Sequence, residues 1–176
     1  VCPLFLDLIA VRQHMKRSVL LIVLTNVILL ANPADARTDE LCKPLKAFVA
    51  SINPDDKKTI AFYTSWGGDF KDTPKSEDSP TFVFAAKRCA HDSYAPAKTV
   101  CDYLLAHGAT EFAYINAQRA ITCLSPKTRF DSDFSFNHLD SQFSYGTSDR
   151  GSNIDITFYW DDSIGGNVLK IVADGY

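Results

Sequence analysis

The chain has 176 residues with a net charge of −3, 46% hydrophobic residues and 12% aromatic ones. Charge this close to neutral, spread without long runs, excludes the basic footprint of a nucleic-acid binder. The apolar fraction is that of a folded protein, and the length from residue 37 onward suits one domain with a real core.

From Met15 the sequence reads MKRSVLLIVLTNVILLANPADA. Lys16 and Arg17 make a positive start, Val19 to Ala31 an apolar run interrupted by Thr25 and Asn26, and Ala34-Asp35-Ala36 a small-residue cleavage box. These are the three parts of a secretory signal peptide, so residues 15–36 are expected to be removed after Ala36. An uncleaved anchor needs about 20 apolar residues, and this run is shorter, so no stable membrane span is expected after cleavage. A lipoprotein is excluded because Cys42 follows Thr38-Asp39-Glu40-Leu41 rather than the cleavage box. Residues 1–14 place Asp7 and a second apolar patch ahead of the positive charges. They read as a spurious upstream extension, with Met15 as the start and Cys2 outside the working protein. The product is then a single exported domain, residues 37–176, periplasmic or secreted.

That domain holds Cys42, Cys89, Cys101 and Cys123. An even number in an exported chain predicts two disulfides, and four cysteines allow three connectivities. The pairing Cys89–Cys101 with Cys42–Cys123 is favoured, because the first closes a short local loop and the second ties an N-terminal helix to the middle. Cys89-x-His91, Cys101 and His107 match no closed zinc motif, and oxidised cysteines supply neither metal ligands nor nucleophiles. No metal and no cofactor are expected.

In chain order, Leu41, Leu45, Phe48, Val49 and Ile52 share one face of a helix, capped by Thr38 or Asp39, with Pro44 in its first turn. Thr59 to Trp66 is β-branched and aromatic, a strand stopped by Gly67-Gly68; Thr81 to Ala90 is a second. Between them, Gly67 to Pro80 reads as an exposed loop. Ala95-Pro96 opens a helix ended by Gly108, with Asp92 or Ser93 as its cap. Residues 111–124 are ambiguous, a helix over the first part while RAITCL fits a strand equally. Asn116, between apolar neighbours, is expected buried and bonded to backbone, and Glu111 and Arg119 solvated or locally paired. From Phe130 the texture alternates, and Ile154, Ile156 and Phe158 oppose Asp155, Thr157 and Tyr159 in a period-2 strand followed by a turn and a last strand. The fold class is therefore α+β: an N-terminal helix, a central helical segment, and an antiparallel sheet formed largely by a C-terminal meander, stapled by two disulfides.

The sequence has no Gly-x-Ser-x-Gly elbow, no His-Glu-x-x-His, no phosphate-cradling loop and no EF-hand pattern. The candidate binding residues are Trp66, Gly67 and Gly68 at one strand end, Tyr159 and Trp160 at another, and the pair His91-Asp92. Loop-edge aromatics of this kind are enriched at binding surfaces. The reading is a non-enzymatic exported protein, of inhibitor or immunity type, with a protein partner in the envelope. The alternative is a small hydrolase acting on envelope or extracellular polymers; a cleft with convergent histidine and carboxylate side chains would distinguish it.

Overall fold

The computed structural model describes residues 39–74 and 82–176. The upstream extension and the signal segment lie outside the described residues, as does much of the loop before Pro80.

Helix α1 spans Cys42–Ala50 and buries Leu45, Phe48 and Val49. Pro44 occupies its first turn, where its missing N–H has no helical partner to lose. Asp39 closes the turn ahead of the helix rather than capping it: its carboxylate accepts the Leu41 N–H at 2.9 Å and its carbonyl the Cys42 N–H at 2.8 Å. Strand β1, Lys57–Trp66, alternates buried Ile60, Phe62 and Thr64 with half-buried neighbours. Strand β2, Ala85–Ala90, starts four residues later than its composition predicts.

Helix α2, Ala95–His107, opens at Ala95-Pro96 as expected, but its N-cap is Tyr94, and neither Asp92 nor Ser93 caps it. Those two residues are spent on the turn itself, with φ of 46° and 59°. Helix α3, Tyr114–Leu124, runs through the whole of RAITCL and excludes the strand alternative there. Asn116, Ala117, Ala120, Ile121 and Leu124 are buried at helical spacing, so one apolar stripe decides the segment.

Phe130 to His138 does not form a strand despite its alternation. Its phenylalanines pack instead on neighbouring aromatics: Phe136 lies 5.7 Å from Tyr114 and 5.6 Å from Phe158. Three strands follow, β3 (Leu139–Gly146), β4 (Gly151–Asp161) and β5 (Gly166–Gly175). The sheet order is β2-β1-β5-β4-β3, antiparallel throughout. The C-terminal meander thus supplies three of the five strands, and β1 and β2 extend it on the β5 side.

One core joins the three helices to one sheet face, with Leu45, Phe48, Val100, Leu104 and Ile121 against Ile60, Phe62, Ile154, Ile156, Leu169 and Ile171. Two disulfides, Cys42–Cys123 and Cys89–Cys101, tie α1 to α3 and β2 to α2. They form the connectivity that spacing favoured. A smaller cluster covers part of the opposite face: Phe70, Ile164 and Val168 are buried there, flanked by Tyr63, Ala86 and Tyr159. Arg88 clamps it, its guanidinium 4.5 Å from the Phe70 ring and 4.8 Å from the Tyr63 ring, while pairing with Asp72 at 2.8 Å.

Candidate functional site

β1 and β4 run in the same direction on either side of β5, so both of their C-terminal ends lie at one end of the sheet. Thr64 and Trp160 both pair with Asn167, and Trp66 lies two residues beyond Thr64. The two tryptophans therefore flank the start of β5. Both are exposed, Trp66 at 43% and Trp160 at 51%.

Trp66 is not isolated. Its ring meets Phe84 edge-on at 4.3 Å between centroids, and Phe84 meets Phe82 at 6.3 Å. Phe82 is 73% exposed and Phe84 58%, which makes a run of three contacting aromatics open to solvent. Gly67 makes the turn beside them possible: its φ of +79° is a conformation that a side chain would strain, and its N–H donates to the Phe84 carbonyl at 2.9 Å. Gly68 adjoins open space. Sequence reading placed Phe82 and Phe84 inside a strand and so passed over them; the signal was four apolar or β-branched residues directly after a Pro/Ser-rich charged loop.

Trp160 is oriented by its own hairpin. Its indole Nε1–H donates to Asp162 Oδ1 at 2.8 Å, and Asp161 Oδ1 accepts from both the Ser163 amide and hydroxyl. Those two bonds to Ser163 hold the Asp161 carboxyl below its ordinary pKa. Tyr159 points to the opposite face, into the Phe70 cluster, and is not part of a surface with Trp160.

His91 and Asp92 follow the far end of β2, whose Ala85 pairs with Trp66 and whose Ala90 pairs with Ala61. They lie about 20 Å of strand away from the tryptophans and belong to a different place. His91 Nδ1 is buried without a hydrogen-bond partner.

A further polar cluster joins elements distant in sequence. Arg119 on α3 pairs with Asp39 and donates to the Tyr103 hydroxyl at 2.9 Å, and the His107 ring packs 4.7 Å from Tyr103. Arg119 is therefore neither solvated nor locally paired. Beside Asp39 an open hollow of about 520 Å³ is lined by Glu40, Cys42, Lys43 and Lys46. Among the described residues no histidine lines it. Among the described residues no group of three or more His, Cys, Asp or Glu side chains is placed to hold a metal ion.

Comparison with protein-family models, with curated proteins and with solved structures finds no match to this chain.

Proposed function

We propose that this is an exported, non-enzymatic binding protein of inhibitor or immunity type, which presents the aromatic end of its sheet to a protein partner in the envelope. The observation that carries the reading is the contacting run Trp66–Phe84–Phe82, solvent-exposed at the end of the sheet where Trp160 is exposed as well. Exposed rigid aromatics in mutual contact are the side chains that anchor protein interfaces, because they cover area at little entropic cost.

Export is supported by the two disulfides, which are typical of oxidising extracellular or periplasmic compartments. Thr38–Tyr176 also forms a compact unit of its own. No helix among the described residues is long and apolar enough to cross a membrane.

The test is capture from envelope extract with oxidised protein expressed from the full chain. The controls are two double variants, Trp66→Ala with Trp160→Ala, and Phe82→Ala with Phe84→Ala. A partner held by the wild type and lost by both folded variants supports the reading. No partner, with hydrolysis of an envelope polymer by the wild type, replaces it with the hydrolase. Mass spectrometry of the exported protein checks the processing separately: a chain beginning at Arg37 is expected, and one retaining Met15 overturns cleavage.

A further inference from the structure

The two edges of the sheet are built differently. On β2, Lys87 and Arg88 stand side by side; Lys87 Nζ donates to the Leu105 carbonyl at 3.1 Å and Arg88 is held by Asp72. Strand β3, LDSQFSYG, contains no proline, lysine or arginine. Its register with β4 runs without a bulge from Leu139↔Phe158 to Gly146↔Gly151. Charges, prolines and bulges are the devices that stop a sheet edge from pairing, and β3 has only Asp140, near one end.

The hairpin shows which backbone groups face outward. The Thr147 N–H donates to the Arg150 carbonyl at 3.0 Å, and Gly151 exchanges both its bonds with Tyr176, on the β5 side. Gly146↔Gly151 is therefore a non-bonded pair. Alternation along an antiparallel ladder then directs Tyr145, Phe143, Ser141 and Leu139 inward to β4. The N–H and C=O groups of Asp140, Gln142, Ser144 and Gly146 face away from β4, at an edge that no other described strand pairs with.

We propose that this edge pairs with the same edge of a second copy of the chain, antiparallel about a twofold axis at Gln142, joining the two sheets into one. In that register Gln142 exchanges both backbone bonds with its twin, Asp140 stands opposite Ser144, and Leu139 opposite Tyr145. The strand's single charge meets a hydroxyl, not its own copy, and on the helix side Leu139 meets Tyr145 while the Phe143 ring lies over the small Ser141. Leu139, Phe143 and Tyr145 already pack partly against the core, so their remaining exposed surface is what the twin covers. This self-match on both faces is what selects a second copy over a foreign peptide.

Sedimentation equilibrium on the oxidised protein, expressed from the full chain, reads the assembly, and hydrogen exchange reads the edge. A concentration-dependent dimer is expected. The amides of Asp140, Gln142 and Ser144 should then slow about tenfold or more on dimerisation, while those of Ser141, Phe143 and Tyr145 are protected at every concentration. Gln142→Pro removes an outward N–H from each copy and leaves the β3–β4 bonds intact, so dimerisation should weaken by roughly tenfold or more. Gln142→Lys sets two like charges together at the axis and should weaken it as well. This second variant decides the matter if the proline changes thermal unfolding, since a lysine can still reach Asp155, the present partner of the Gln142 side chain. A wild type still monomeric at about 1 mM overturns the proposal, and so does a dimer that survives in a folded variant.

Discussion

Arg119 and Asp39, 80 positions apart, meet in a two-bonded pair, Nε to Oδ2 at 2.5 Å and a terminal nitrogen to Oδ1 at 2.7 Å. The pair fastens the turn ahead of α1 to the middle of α3. The guanidinium hydrogen bonds hold the Asp39 carboxyl below its ordinary 3.8, and the same bonds raise Arg119. A carboxyl whose folded pKa lies below its unfolded one stabilises the fold above the unfolded value and loses that contribution as pH falls through the folded value. Urea midpoints should therefore drop as pH is lowered below about 3.8, and Asp39→Asn should flatten that drop while costing about 1–3 kcal/mol at pH 7. An unchanged acid limb in Asp39→Asn would mean that other carboxylates govern acid unfolding.

The two disulfides should differ in weight. Cys42–Cys123 closes a separation of 81 residues and Cys89–Cys101 one of 12. Chain entropy then favours the longer closure, about 4.5 kcal/mol against about 3. Denaturant curves of Cys42→Ala/Cys123→Ala and Cys89→Ala/Cys101→Ala should rank in that order. The reverse ranking would place the effect in the packing of β2 on α2 and not in the unfolded chain.

Asn116 is 1% exposed and works as a backbone surrogate. Its Oδ1 accepts the Ala109 N–H at 2.9 Å, and its Nδ2 donates to the Ala109 and Ala113 carbonyls at 2.8 and 3.0 Å. Asn116→Ala should cost about 2–3 kcal/mol, because it leaves those groups unpaired inside the fold. Asn116→Asp should cost more, since a carboxylate replaces two donors that face carbonyl oxygens. Equal stability of asparagine and aspartate variants in thermal melts would contradict this assignment.

Gly108 is required for room, not for its backbone angle. Its φ is −67°, yet a Cβ there would stand 2.5 Å from the Leu104 carbonyl oxygen and 2.6 Å from Cζ of buried Phe62. Gly108→Ala should destabilise by about 2–3 kcal/mol through overpacking. Combining it with Phe62→Leu should recover part of the loss in a double-mutant cycle; strict additivity would show that the ring is not the obstacle.

The sequence carried the parts of the architecture that rest on local pattern. The 3.6-residue spacing of Leu45, Phe48 and Val49 marks α1, and the alternation of Ile154, Ile156 and Phe158 marks β4. Buried Asn116 was legible because a polar residue among apolar ones on a helix needs backbone partners. The Asp39–Arg119 pair was not, since a charge pair across 80 residues leaves no local trace. Phe130 to Phe136 misled for a related reason: alternation shows that side chains sort into two environments, but aromatic packing on Tyr114 and Phe158 sorts them equally well. The candidate site was half legible. Trp66 and Trp160 were found at strand ends, but the strand order that puts them at one end of the sheet, and His91 and Tyr159 elsewhere, depends on pairings over a hundred residues apart.

The position of β5 bears on when this protein can fold. It is the latest described strand in chain order, yet it lies between β1 and β4 and pairs with both. A nascent chain ending before Gly166 can form the β1–β2 and β3–β4 ladders but lacks the strand that joins them into one sheet. Sheet completion is thus withheld until residues 166–175 have emerged, and pairing across such long separations is slow. Under the export proposed above, that delay favours a chain that crosses the membrane unfolded, because the central seam cannot close before residues 166–175 are free to pair.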